Sequence, residues 1–244
     1  MIDLHTHIIP TVDDGAKNIE QSLLLIDMLI AQSVDEIVLT PHFYPEIMPM
    51  EKFLKRRNAA YSELLLTMKD RNIKFHLASE TQYSHLLLNY SNLKSICIEN
   101  TSYLLLELPY TSTFESKMFT DIDRIVNEYG ITPIIAHIDR YIPVHKDPRV
   151  IEKLRDIGCL IQLNCDSLIN LFSRGFAKKL LKRNVVDVLG TDCHNTTTRP
   201  PNMSKALQVI LAQFGEDYIG TLQNNAKYIV AEQKDELVTF KSML

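Results

Sequence analysis

Apolar residues follow two alternating rhythms along the chain. Seven short runs, "MIDLHTH", "EIVLTPH", "IKFHLASE", "YLLLELP", "ITPIIAH", "CLIQLNC" and "VVDVLGTDCH", have the length of buried strands. Between them Ile19, Leu23, Ile26 and Ile30 recur at helical spacing. So do Phe53, Leu54, Tyr61, Leu64, Leu65 and Met68, and later Phe119, Ile122, Ile125 and Val126. Strands alternating with helices predict a parallel sheet with crossover helices. Seven such units in one α/β domain predict a barrel rather than an open sheet. Ala206, Leu207, Ile210, Leu211 and Phe214, after Pro200 and Pro201, predict helices packed outside it.

The polar residues are as patterned as the apolar ones. Six of the seven runs carry His, Asp or Glu at their ends. In a (β/α) barrel the strand C-termini meet at one face, so residues distant in sequence converge there. His5 and His7 are two apart and point to the same side of a strand. Asp14 follows in the first loop, and His42, Glu80, Glu107, His137, Asp192 and His194 complete nine candidate ligands. Imidazole and carboxylate suit Zn, Mn or Fe. Nine exceed the four ligands of a closed zinc site, and match two or three ions sharing a bridging carboxylate. Asp13 competes with Asp14, and the sequence leaves that choice open. His76, His85 and His145 lack strand-end placement and are expected at the surface or behind the ligands.

Composition narrows the picture. The chain has 244 residues, 45% hydrophobic and 23% charged, enough for one domain over 1–244. A net charge of -4 provides no basic field to recruit nucleic acid. Cys97, Cys159, Cys165 and Cys193 form no Cys-x-x-Cys pair, which suits a reducing compartment. The apolar stretch Leu23 to Ala31 is interrupted by Asp27 and is too short to span a bilayer. With no basic leader region, a cytoplasmic location without direct membrane insertion is expected. The basic clusters Lys52, Lys55, Arg56, Arg57 and Lys178, Lys179, Lys182, Arg183 read as solvated helix faces, with holding an acidic phosphorylated tail as the alternative.

The order His-x-His, Asp-Asp-Gly, Pro-His, Glu, Glu, His, Asp-x-His resembles the polymerase-and-histidinol-phosphatase (PHP) family of metal-dependent phosphoesterases. More narrowly, "MIDLHTHIIPTVDDG", "IAHIDRY", "GCLIQLN", "TDCHN" and "RPPNM" resemble the bacterial tyrosine-protein phosphatases of capsule and exopolysaccharide operons. The resemblance runs from Met1 to about Val230 and implies a distorted (β/α)7 TIM-like barrel. By position it implies that His5, His7, Glu80 and Asp192 hold a first ion. Glu80, Glu107 and His137 would hold a second, and Asp14, His42 and His194 a third. "HIDR", where the family more often has His-Pro-Glu-Arg, keeps both the ligand and the arginine. The implied substrate is the phosphotyrosine-bearing tail of a membrane-associated bacterial tyrosine kinase, and the implied ions are two or three divalent cations, Mn²⁺ before Fe or Zn.

Two ions about 3.5–4 Å apart can share one water and lower its pKa from about 15.7 toward about 7. Arg140 and Arg199 are expected to bind phosphate oxygens as planar forks. A phenol leaves with a pKa near about 10, which reduces the need for a general acid, and none is assigned. "CHNTTTR" satisfies the Cys-x5-Arg spacing of cysteine-dependent phosphatases. It lacks the glycine their loop needs, and Cys193 stands between two candidate ligands. Alternatives are a small-molecule phosphatase acting on histidinol phosphate and a non-catalytic metal-bound regulator.

Overall fold

Each apolar run enters parallel sheet, but two of them break midway. In the computed structural model, which describes residues 1–68 and 71–231, β1 is Ile2–Thr6. The second run divides into β2 (Glu36–Leu39) and β3 (His42–Phe43), and the third into β4 (Lys74–Leu77) and β5 (Glu80–Gln82). Then come β6 (Tyr103–Glu107), β7 (Thr132–Ile135), β8 (Leu160–Asn164) and β9 (Val188–Gly190). The last residues of the expected 1–244 domain, 232–244, lie outside the described residues.

The order β1-β2-β4 continues through the breaks into β3-β5-β6-β7-β8-β9, and every pairing is parallel. The ends of the curled sheet meet, because Asp192 N–H donates to the His5 carbonyl (2.8 Å) and His7 N–H to the Cys193 carbonyl (2.9 Å). The result is a distorted (β/α)7 barrel.

The breaks have local causes. Pro41 has no N–H to give the ladder. Just before it, the Thr40 hydroxyl accepts from Thr6 N–H at 3.0 Å in place of a backbone carbonyl, and also donates to the Thr6 carbonyl, which Thr40 N–H still reaches at 3.0 Å. β1 carries an irregularity: Asp3 pairs with Ile37, yet Thr6 pairs with Leu39. That one-residue slip re-aims the strand. Leu4 packs with Val38, Leu105, Ile134 and Val188 in an apolar cluster, while His5 joins the polar residues at the strand ends.

The helices are α1 (Ile19–Ile30), α2 (Met50–Leu66), α3 (Ser116–Tyr129), α4 (Ile142–Lys146), α5 (Arg149–Ile157), α6 (Asp166–Ile169), α7 (Arg174–Lys182), α8 (Met203–Phe214) and α9 (Glu216–Val230). α1 starts at Asn18, whose side chain accepts from Gln21 N–H (2.9 Å). α3 stops at Gly130, at φ +62°, a left-handed cap that glycine adopts without strain. α1 and α3 bury Leu25, Ile26, Leu29, Ile122 and Ile125 in the larger core between helices and sheet. The smaller cluster lies below the functional face, since Ala78, Leu105, Ile134 and Val188 precede Glu80, Glu107, His137 and Asp192 on the same runs. Among the described residues no helix is long and apolar enough to cross a membrane.

Candidate metal centre

All nine expected ligands converge at the strand C-termini. His5, His7, Glu80 and Asp192 form one group whose ligand atoms lie within 4.8 Å of one another. His7, Asp14, His42 and His194 form a second, and His42, Glu80 and Glu107 a third. His7, His42 and Glu80 each appear in two groups, and of these the carboxylate of Glu80 is the one able to bridge two ions.

The first group gathers acceptors that a metal cation would satisfy. His137 N–H donates to Gln162 Oε1 (2.6 Å), and that oxygen lies 3.3 Å from His5 Nδ1. His5 Nδ1 is therefore the donor and its Nε2 carries a bare lone pair. His7 Nδ1 donates to Asp13 (2.6 Å), which bares its Nε2 in the same way. The two Nε2 atoms face each other at 3.0 Å. Glu80 Oε2 stands 3.1 and 3.2 Å from them, and Asp192 Oδ1 3.5 and 3.3 Å. With both rings neutral, four acceptors point at one buried spot, which either a metal ion or protons on the two imidazoles must answer. The buried atoms His42 Nδ1, Glu80 Oε2 and His194 Nε2 have no hydrogen-bond partner. Structural polar groups are rarely left so, whereas a divalent cation satisfies all of them.

Charge follows the same logic. Burial, aided by positive charge on His7, lowers His42 to about 4 and His194 to about 2, which keeps both rings in the neutral form that metal binding needs. Burial opposes ionisation of Glu80, yet His5 and a hydrogen bond from His137 hold it well below the usual carboxylate range. Burial also opposes a charge on His5 and His7, but the carboxylates raise both, Glu80 and Asp192 at His5, Asp13 first at His7. A divalent cation satisfies these carboxylates and competes with those protons.

Asp13 and Asp14 have different surroundings. Asp13 is fully used behind the ligands: it accepts from His7, from His42 N–H (2.9 Å) and from Gly15 N–H (2.9 Å). Asp14 Oδ1 lies 3.6 Å from His42 Nε2 and 3.4 Å from His194 Nε2, with its side chain open to solvent. The expected trio of Glu80, Glu107 and His137 comes together, with His137 Nε2 2.7 Å from Glu80 and 3.6 Å from Glu107, and His42 Nδ1 stands 3.0 Å from Glu80 as well. His137 (φ +32°) and Asp192 (φ +54°) both adopt left-handed backbone, strain gathered at the site.

Arg140 and Arg199 come from opposite sides of the sequence to one oxygen, Asp192 Oδ2, at 2.6 and 2.7 Å. Their side chains are each about a third exposed, so they also face the mouth. Asn164 donates to the same oxygen (2.8 Å). Asp192 thus turns Oδ1 to the histidines and Oδ2 to three donors. Cys193 is fully buried and burial pushes its thiol up, the reverse of an activated nucleophile.

Sequence reasoning missed Gln162 and Asn164, which orient His5 and Asp192. The signal was the polar-apolar-polar step in "LIQLN" within a fully packed barrel. Two other expectations need correction. His76 is buried and paired with Glu36 (2.7 Å) on the flank of the barrel, neither at the surface nor behind a ligand. Arg57 is no solvated charge; it is buried and donates to the carbonyls of Ala78 (3.0 Å) and Ser95 (3.3 Å). His85 is half exposed against Asp121, and His145 stacks on Phe176.

The capsular polysaccharide synthesis family CpsB/CapC matches residues 1–231. Tyrosine-protein phosphatase CpsB of Streptococcus pneumoniae is 30% identical over 249 residues, covering 96% of this chain and 99% of that one. Tyrosine-protein phosphatase YwqE of Bacillus subtilis is 26% identical over 239 residues, covering 96% and 92%. A solved structure from work on YwqE and CpsB, described as unique metal-dependent tyrosine phosphatases, superposes with a TM-score of 0.85 at 24% identity, covering 97% of this chain and 96% of that one. The chain belongs to the CpsB/CapC family of capsular polysaccharide synthesis.

Proposed function

We propose that this chain is a metal-dependent protein-tyrosine phosphatase of capsule or exopolysaccharide synthesis. It works as a single cytoplasmic domain on the phosphotyrosine-bearing tail of a membrane-associated bacterial tyrosine kinase. The observation that carries this reading is the pair of imidazole Nε2 atoms 3.0 Å apart, flanked by Glu80 and Asp192. Its donor set of imidazoles and carboxylates fits two or three divalent ions, Mn²⁺ first, with Fe and Zn as alternatives. His5, His7, Glu80 and Asp192 would hold one ion; Glu80, Glu107 and His137 a second, with Glu80 shared; Asp14, His42 and His194 a third. Bound there, the ions would supply Lewis acidity and activate water for attack on phosphorus.

The protein's own groups do the rest. Gln162 and Asp13 hold His5 and His7 in the tautomer that presents Nε2. Arg140 and Arg199 bind phosphate oxygens from the open side and offset charge developing in the transition state. Asn164 keeps Asp192 oriented when the arginines turn to substrate. The tyrosyl oxygen departs as a good leaving group, with a pKa near about 10.

The test is paired turnover of a phosphotyrosine peptide and histidinol phosphate by the metal-loaded protein. A strong preference for the peptide is expected. Preference for histidinol phosphate would make it a small-molecule phosphatase.

A further inference from the structure

A cavity of about 240 Å³ opens directly beside the candidate metal centre, and no role assigned above fills it. Its two ends differ in chemistry. One end is Asp14 and His42, members of the metal group at the mouth. The rest is mostly apolar, with Tyr44, Met48, Phe53 and the exposed Ile47, alongside Arg56 and Asp13. Tyr44 stacks on His42, with centroids 5.0 Å apart and planes 23° from parallel, so one aromatic wall runs from ligand to cavity. Phe53 is braced by stacking on Phe43 at 4.8 Å. The volume lies below the range of about 300–1,000 Å³ typical of small-molecule pockets, and suits one side chain rather than a stretch of peptide.

A polar end at the reacting centre followed by an apolar slot is the complement of an aryl phosphate. The phosphate meets the ligand end, and the ring extends along Tyr44 into the space bounded by Met48 and Phe53. A phosphoserine side chain would leave that apolar space unfilled. Arg56 lines the cavity, and Lys52 and Lys55 lie exposed on the same helix, so acidic residues flanking the ring would meet positive charge. We infer that this cavity is the aryl subsite, which seats the phosphotyrosine ring and selects aryl over alkyl phosphate monoesters. The inference rests on the phosphatase reading above.

The experiment compares inhibition constants of phenylphosphonate and inorganic phosphate against phosphotyrosine-peptide hydrolysis by the metal-loaded full chain. Met48→Trp fills the slot; Ile47→Ala trims its exposed lip. The ratio of the phenylphosphonate constant to the phosphate constant should rise about tenfold in Met48→Trp and about threefold in Ile47→Ala, as buried apolar area is lost. Met48→Trp decides where it folds; Ile47→Ala, an exposed position, decides where it does not. An unchanged ratio overturns the inference. So does weakening confined to a phosphopeptide with phenylphosphonate unaffected, which would seat a flanking side chain in the cavity. Failure of the unsubstituted protein to hydrolyse the peptide would instead overturn the phosphatase reading.

Discussion

Gly190, the last residue of β9, lies where any side chain would strike the back of His5. A Cβ there would stand 2.5 Å from His5 Cβ, 3.0 Å from Gln162 Nε2 and 3.2 Å from the His5 nitrogen. Its φ is not positive, so the conflict is one of space alone. Carbons pack at about 3.5–4.0 Å, which leaves Gly190→Ala short by about 1 Å. His5 cannot yield freely, because Gln162 holds its Nδ1 while bonded to His137 and Asn164. Overpacking of this kind costs about 1–3 kcal/mol. Displacing a group at a reacting centre by about 1 Å costs on the order of a hundredfold in rate. Urea unfolding should therefore show a loss of about 1–3 kcal/mol. Hydrolysis of a phosphotyrosine peptide should show kcat/KM down about a hundredfold, with less metal retained after dialysis. Wild-type turnover and metal content in Gly190→Ala would refute the claim that Gly190 makes room for a ligand.

Arg140→Ala or Arg199→Ala should lower kcat/KM by about 2–4 kcal/mol, roughly thirty- to a thousandfold. Metal content measured on the same samples should hold, because Asp192 Oδ2 keeps two of its three donors. Cys193→Ser should retain activity within a few-fold, since the thiol is buried and unactivated; an inactive variant with full metal content would point to a thiolate mechanism. Burial raises Asp3 from 3.8 to about 6, against hydrogen bonds from Thr191. The folded state thus holds that proton more tightly than the unfolded one, so the contribution is full below about 3.8 and lost as pH rises through about 6. Asp3→Asn removes the loss: its stability relative to the parent in metal-free protein should climb by up to about 3 kcal/mol between about pH 4 and pH 6, and a flat difference across that window would contradict it.

The strand ends were legible because a packed barrel leaves little reason for His, Asp or Glu at those positions except chemistry. His5, Glu107, His137 and Asp192 stand out against apolar neighbours for that reason. The breaks at Thr40–Pro41 and before Glu80 were less visible, since a side-chain hydroxyl accepting in place of a backbone carbonyl leaves no periodic trace. The slip in β1 is likewise silent, although it lets Leu4 and His5 serve different layers. Asp13 and Asp14 are chemically identical neighbours, and only the turn at Gly15 separates a supporting carboxylate from a ligand-facing one. Gln162 and Asn164 were overlooked because amides carry no charge or titration to mark them. The approach of His42 to Glu80 beside His137 depends on loop geometry that spacing does not encode.

The most direct test of the central claim follows phosphotyrosine-peptide hydrolysis as Mn²⁺ is titrated into chelator-stripped protein, with bound metal counted at each point. The stripped protein should be inactive, and activity should return in step with two or three ions per chain. Replacing His5 or Asp192 with Ala should lower both the count and the restored rate. Full hydrolysis by the stripped protein would contradict the claim that these strand-end residues act by holding metal.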